Sequence, residues 1–206
     1  YPVYLLAGTV LWSFFSECTS QGIQAIVARG DLLRKISFPK WIIVVSATTT
    51  ALINFLINLG VVIIFAIING VTPSLSWLIV PFIVLELYLL SLGISFFLGA
   101  INVKYRDISS IWEVFMQALF YAVPVVYPIT MVADASPLAA KIFLLNPIAQ
   151  VIQDVRYFLI TNQTITTWNY LPEQLLHFVP ILIVIIIITL GGLYFRKRSK
   201  YFAEEA

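Results

Sequence analysis

The chain has few side chains that could carry out chemistry, and they are scattered. His177 is the only histidine and Cys18 the only cysteine, so a cysteine metal cluster, an intrachain disulfide and a histidine-dependent triad have almost no material. No glycine is followed by lysine, so the phosphate-binding loop GxxxxGK[ST] is absent. We therefore expect no catalytic site, metal or cofactor in this chain, with Cys18 a buried apolar thiol and His177 an interfacial ring.

Two carboxylates lie inside long apolar runs. Glu17 follows "WSFFS", and Glu86 stands within "IVLELYLL". A charge in hydrocarbon is expensive unless it is paired, protonated or hydrated, so such residues are functional candidates by default. The alternative for Glu86, which has no basic neighbour in sequence, is a structural hydrogen bond between helices.

The elements that would position these residues are transmembrane helices. The chain is 61% hydrophobic and 11% charged, with a mean hydropathy of +0.97, which exceeds what a water-soluble domain needs. The pattern predicts an all-α, polytopic transmembrane bundle with five spans. They cover residues 3–28, 41–68, 77–101, 111–132 and 176–195. We expect the polar patch "SECTSQG" in the first span to pack against other helices or to face a cavity.

The basic residues alternate between the two sides of the predicted membrane. Of twelve Lys and Arg residues, all but Lys141 and Arg156 fall in three alternate loops. This bias predicts that those loops and the C-terminus are cytoplasmic. The opening "YPVYLLAGTVLW" lacks the basic region of a signal peptide, so we expect the chain to begin within a longer protein. The formal net charge of +2 does not imply nucleic acid.

The region 130–174 is too long and too apolar for an ordinary outer loop. Asn146-Pro147 interrupts it, and because proline lacks an amide hydrogen, the region should split into two short helices. Each is too short to span. We interpret them as a re-entrant pair dipping in from the outer face, with interfacial helices lying flat as the alternative.

Residues 29–40, "RGDLLRKISFPK", predict a short amphipathic helix on the cytoplasmic side. Asp31 is suited to cap it, and Pro39 ends it before the next span. Its apolar residues lie along one side at helical spacing. The segment is either a membrane-surface helix, whose cations meet anionic headgroups, or a docking element for a cytoplasmic partner.

The order of several motifs resembles the permease subunit of type 2 ABC exporters. They are "YLLAGTVLWSFFSE" followed by "LLRKISFPKW", then "NVKYRDI", then "LNPIAQVIQDVRYFLI". The resemblance covers essentially the whole chain and is strongest to the branch that exports O-antigen, teichoic acid and capsular polysaccharide. The order of the motifs along the chain carries the resemblance.

This resemblance implies a set of partners and a location. The missing N-terminus would hold an interfacial helix and the first of six spans. ATP and Mg would bind a separate ATP-binding subunit, and the permease would pair with a second copy of itself and export a lipid-linked polysaccharide across the cytoplasmic membrane of a bacterium or archaeon. The segment 29–40 would be the coupling helix. Its predicted docking residues are Leu32, Leu33, Arg34, Lys35, Ile36 and Phe38.

The motif "KYRDI" is predicted to lie at the cytoplasmic mouth. Its polar residues are Lys104, Tyr105, Arg106 and Asp107. They could be a snorkelling interface with an Arg–Asp pair. The resemblance favours a gate that contacts the ATPase or the phosphate linkage of the substrate.

Aromatic residues make up 15% of the chain. Most should be lipid-facing, core or interfacial, but sugar faces stack on such rings, and a glycan channel benefits from sliding contacts. The candidate channel-lining residues are Trp12, Phe15, Trp112, Phe115, Phe120 and Tyr121. A kink at Pro124 and Pro128 could shape the outer gate.

Two other functions stay open. A type 2 exporter of drugs or small lipids would be favoured by a large extracellular domain or a different loop signature. A membrane-embedded transferase acting on lipid-linked sugars would need acidic or histidine clusters at one face, whereas the carboxylates of this chain are scattered.

Overall fold

A computed structural model describes residues 2–31 and 38–202, and this part of the chain is helical with no strand. Long apolar stretches form helices because helices satisfy their own backbone hydrogen bonds. The helices are α1 (Pro2–Ala28), α2 (Trp41–Ile68), α3 (Val80–Asn102), α4 (Ile108–Ala122), α5 (Ile129–Ala135), α6 (Pro137–Leu144), α7 (Pro147–Leu159), α8 (Thr167–Tyr170) and α9 (Val179–Arg198). The 3₁₀ turns Leu75–Ile79 and Gln174–Phe178 lead into α3 and α9.

Three helical stretches are long and apolar enough to cross a membrane. Within the described residues they are Trp41–Ile68, Leu75–Asn102 and Gln174–Arg198. The all-helical class is thus confirmed, whereas the count of five spans is not. α1 has 27 residues, but its polar patch makes it less apolar than these three. α4 has only 15 residues, fewer than the roughly 20 that a span needs.

α6 and α7 form a bent pair, with an angle of 93° between them. Asn146 lies at the break, where its side-chain oxygen accepts a hydrogen bond from the backbone N–H of Ile148 at 3.0 Å. Pro147 takes the first helical position of α7, where its missing N–H costs nothing. Such a pair is either one broken span or a re-entrant hairpin.

The apolar run 111–132 is not one continuous helix. α4 ends at Ala122, residues 123–128 turn, and α5 begins at Ile129. We expected a kink at Pro124 and Pro128, but with two prolines so close the chain leaves the helix altogether. Neither proline can donate a backbone hydrogen bond, and each restricts the residue before it.

The chain forms two compact units, each built from several separate segments. The first unit comprises Tyr1–Ser13, Phe55–Leu87 and Ala118–Ile183. The second comprises Phe14–Asn54, Tyr88–Gln117 and Val184–Ala206. In the first, α7 is buried along nearly its whole length.

The helices of the second unit pack around a shared apolar core. Ile26, Val44 and Phe195 are among its buried apolar residues. α3 and α9 approach so closely that a Cβ atom added at Gly191 would lie 2.2 Å from the carbonyl oxygen of Gly93. Small residues permit this approach, as they do between membrane helices in general.

Candidate functional site

Arg156 is the centre of the best-defined polar site in the first unit. Its side chain is fully buried, which is rare for a group that stays charged at all accessible pH values. α7 positions it among apolar neighbours, so its five N–H donors need acceptors within the protein. Those acceptors come from two other segments and from α7 itself.

The guanidinium of Arg156 binds backbone carbonyls. Nε donates to the carbonyl of Tyr4 at 3.1 Å, Nη1 donates to Pro124 at 2.8 Å, and Nη2 donates to Val125. Nη1 also donates to the side-chain oxygen of Gln153 at 2.9 Å. The site therefore links α1, the turn after α4 and α7.

Tyr4 and Gly8, one turn apart on α1, complete this site. The Arg156 guanidinium carbon lies 3.7 Å from the centroid of the Tyr4 ring, a favourable cation–π distance. The Tyr4 hydroxyl donates to Gln153 Oε1 at 3.3 Å. A Cβ atom at Gly8 would lie 2.2 Å from Arg156 Nη2 and 2.6 Å from the carbonyl oxygen of Val125, so only glycine leaves room for the guanidinium.

Sequence reasoning did not select Arg156. The sequence did contain a signal for Arg156. Burying a lone arginine in a largely apolar helix costs free energy, as burying the acid Glu86 does. Its partners could not have been found that way, since Tyr4 and Pro124 are distant in sequence and contribute only main-chain carbonyls.

Glu86 lies near two polar residues of α7 in the first unit. Its carboxyl group lies close to Gln150 and to Asp154. Gln150 Nε2 donates to Asp154 Oδ2 at 2.6 Å. One oxygen each of Glu86, Gln150 and Asp154 is buried without a hydrogen-bond partner among the described atoms. The sequence prediction named Glu86 but not its two neighbours.

Glu17 occupies a satisfied polar site in the second unit. Its Oε1 accepts from Gln21 Nε2 at 2.8 Å and from Asn54 Nδ2 at 2.9 Å. The polar patch of α1 therefore packs against α2 through hydrogen bonds. Trp112 Nε1 similarly donates to Thr19 Oγ1 at 3.0 Å, which joins α4 to the same patch.

The six aromatic candidates are divided between the two units. In the first unit, Trp12 meets Phe120 edge-on at 5.5 Å, and Phe120 meets Tyr121 at 5.5 Å. In the second unit, Trp112 and Phe115 lie 5.3 Å apart. Phe15 is fully buried and has no surface on which a sugar could stack, so it is left out of the lining proposed below.

The first unit also has a neutral pocket of about 520 Å³. Trp77 and Tyr157 line it together with the amides of Asn69, Asn162 and Gln163. No ionisable acid or base other than the tyrosine is among its described lining residues. Aromatic faces and neutral amides suit uncharged polar ligands such as sugars.

The remaining predicted positions lie at the surface or outside the described residues. Lys104, Tyr105, Arg106 and Asp107 are all exposed, in the turn between α3 and α4. The docking residues Leu32, Leu33, Arg34, Lys35 and Ile36 lie outside the described residues. Phe38 is described, and it packs against the core of the second unit.

Comparison with known proteins identifies the family. The sequence profile described as ABC-2 type transporter matches residues 2–160. The chain belongs to the ABC-2 type transporter family. It is 27% identical over 206 residues to the O-antigen export system permease protein RfbA of Klebsiella pneumoniae, covering 99% of this chain and 75% of that protein. It is 31% identical over 147 residues to the O-antigen export system permease protein RfbA of Myxococcus xanthus, covering 71% of this chain and 56% of that protein.

Family membership bears on two of the predictions made from the sequence. The suspected resemblance to a type 2 ABC permease is confirmed. As an ABC-2 type transporter with several helices apolar enough to span a bilayer, the chain is a multi-pass membrane protein. Among the described residues no group of three or more His, Cys, Asp or Glu could hold a metal ion.

Proposed function

We propose that this chain is the membrane-spanning subunit of an ATP-driven exporter that moves a lipid-linked polysaccharide across the cytoplasmic membrane. The observation that carries the proposal is the similarity to O-antigen export permeases, which extends over 99% of the chain. A permease of this kind has no nucleotide site of its own. ATP and Mg bind a separate ATP-binding subunit.

In the proposed assembly, the chain crosses the membrane five times, and its C-terminus is cytoplasmic. α1 and α4 count as spans although they are less apolar or shorter than the other three. Their polar patches are satisfied by protein, as the bonds from Gln21 and Asn54 to Glu17 illustrate, so they need not face lipid. The basic residues of α9, Arg196 to Arg198, support a cytoplasmic C-terminus. The bent pair then lies on the outer side as a re-entrant hairpin.

Two copies of the chain form a path between them for the glycan. Its proposed lining uses the aromatic side chains that keep exposed surface, Phe115 and Tyr121 above all. The rings of Trp112 and Phe120 lie beside them. Rings offer sugar faces shallow contacts, which lets a long chain slide. The neutral pocket at Trp77 adds a place where an uncharged sugar could rest.

In this proposal, ATP binding by the ATPase acts on the permease through the segment 29–40. When the ATPase dimer closes on ATP, it pushes this segment, which docks through Leu32, Leu33, Arg34, Lys35, Ile36 and Phe38. Phe38 packs against a core that includes Phe195, so a push on the segment reaches α2 and α9. The exposed turn at Lys104 to Asp107 contacts the ATPase or the phosphate linkage of the cargo in this proposal.

The first test is copurification of the full-length protein with its ATP-binding subunit. The double variant Leu33→Asp and Ile36→Asp should lose the ATPase while it stays folded in the membrane. A matched control carries Leu75→Asp and Leu175→Asp, two exposed positions in the 3₁₀ turns, and should keep the ATPase. Equal retention by both variants would remove the docking assignment.

The second test concerns the cargo. A strain that lacks its own O-antigen export permease is supplied with this permease and its ATPase, and lipid-linked glycan on the outer surface is measured. Surface glycan that disappears when the ATPase cannot hydrolyse ATP supports polysaccharide export. Export of a small lipid or drug with no surface glycan would replace polysaccharide by a small-molecule cargo.

A further inference from the structure

A groove of about 580 Å³ lies in the second unit, beside the start of α2 and the end of α9. The described residues that line it are of two kinds. Lys40, Arg196 and Lys200 supply positive charge, and Trp41, Phe96 and Phe195 supply aromatic surface. No carboxylate is among the described lining residues, so these cations have no acidic partner on the described groove wall.

Aromatic rings pack against one another beneath the groove. Phe195 is buried and lies 5.0 Å from Phe96 and 5.3 Å from Phe202, measured between ring centroids. Lys40 Nζ donates to the carbonyl oxygen of Ser199 and lies 5.7 Å from the centroid of Phe202. Lys40 is therefore held in place by the protein, whereas Arg196 and Lys200 are exposed and are free to turn toward a ligand.

The groove lies at the level of a membrane interface. The apolar part of α9 ends at Phe195, where Arg196 to Arg198 follow, and the apolar part of α2 begins at Trp41. Tryptophan and basic residues at the ends of spans mark the headgroup region. Lipid phosphates lie at this level, within reach of cations that carry both charge and hydrogen-bond donors.

We propose that this groove binds the phosphate headgroup of a lipid that carries at least two negative charges. Three cations exceed what a single phosphodiester charge requires, and they match a phosphate monoester or a diphosphate. The lipid tail would follow the aromatic surface of Trp41, a residue that is 52% exposed. This inference is independent of the proposed cargo and of ATPase docking, because the groove would bind such a lipid in the absence of both.

The test uses the full-length protein in phosphatidylcholine nanodiscs. Each preparation contains an equal mole fraction of one probe lipid, namely phosphatidate, a polyprenyl diphosphate or phosphatidylglycerol, and retained lipid is counted by native mass spectrometry. The wild type should retain phosphatidate, the diphosphate or both in preference to phosphatidylglycerol. Equal retention of phosphatidylglycerol would reduce the groove to a general basic surface and overturn the proposal.

Two variants make the result specific. Arg196→Gln with Lys200→Gln leaves Lys40 and its bond to Ser199 in place, so folding should be unaffected. At about 1 kcal/mol per basic residue near anionic lipid, this variant should bind the dianionic lipid about 30-fold more weakly. A control with the same charge change, Lys141→Gln with Lys197→Gln, alters basic residues that do not line the groove.

The control should stay within about twofold of the wild type, since the proposed cations are intact. An equal loss in both variants would assign the effect to overall charge and overturn the proposal. Soluble pyrophosphate should lower the amount of retained lipid, because it competes for the same cations. Preference for the diphosphate over phosphatidate would identify a carrier lipid, and the reverse preference a bilayer phospholipid.

Discussion

Replacing Gly8 by alanine tests the packing around the buried guanidinium. The added methyl group would lie 2.2 Å from Arg156 Nη2 and 2.6 Å from the carbonyl oxygen of Val125. Real Cβ atoms do not approach other heavy atoms so closely, so one of the two must move. The carbonyl belongs to the main chain, and the guanidinium is held by three further acceptors, Tyr4, Pro124 and Gln153. Neither can yield without loss of a hydrogen bond.

The size of the effect follows from two opposed contributions. Alanine improves on glycine in a helix interior by about 1 kcal/mol. Displacing Nη2 from Val125 loses a hydrogen bond to a charged donor, which costs about 1.5–3 kcal/mol. The movement that relieves the overlap with the new Cβ atom is the same movement that breaks the hydrogen bond from Nη2 to Val125. The overlap therefore adds no separate energetic cost. The net loss for Gly8→Ala is about 0.5–2 kcal/mol.

The assay compares thermal unfolding in one detergent by size-exclusion chromatography with fluorescence detection. Gly60→Ala is the matched control, because Gly60 lies inside α2 and a Cβ atom there would meet nothing within 4 Å. The control should unfold at or above the wild-type temperature, and Gly8→Ala clearly below it. If Gly8→Ala were as stable as Gly60→Ala, the close packing of α1 against Arg156 would be refuted.

Two further predictions use the second unit. Gly191→Ala should destabilise the protein by about 1–3 kcal/mol, because its Cβ atom would overlap the carbonyl oxygen of Gly93. Gly192→Ala is the control, since a Cβ atom there would meet nothing within 4 Å. Equal melting temperatures for the two variants would contradict the close approach of α3 and α9. Glu17→Leu should cost about 0.5–1.5 kcal/mol, since the amide of Asn54 loses its acceptor. Glu17→Gln keeps a side-chain oxygen that can accept this bond and should cost less in the same thermal assay, whereas equal losses in the two variants would indicate a purely electrostatic role for Glu17.

Much of the helical layout is predictable from local pattern. The run 41–68 coincides with α2, and the expected start of the last span at residue 176 lies within its leading 3₁₀ turn, Gln174–Phe178. These limits follow from apolar composition and from the polar or proline-containing segments at each end. The run 111–132 was predicted as one span because its composition is uniformly apolar, but two prolines divided it. Composition reports whether a segment can enter a membrane, and backbone chemistry decides whether it stays helical there.

The candidate sites were less accessible to sequence reasoning. Glu17 and Glu86 could be selected because an acid in an apolar run is conspicuous. The bond from Gln21 to Glu17 follows from helical spacing, whereas the bond from Asn54 depends on how α1 packs against α2. Arg156 was hardest, since most of its acceptors are main-chain carbonyls that any residue type supplies.

The carbonyl contacts of Arg156 also have a mechanical consequence. Its guanidinium joins the start of α1, the turn at Pro124 and Val125, and α7 through short bonds. Sliding any one of these segments past the others would remove acceptors from a fully buried cation, which costs several kcal/mol. The three segments therefore have high stiffness with respect to one another. We therefore expect these three segments to move together in any conformational change of the protein.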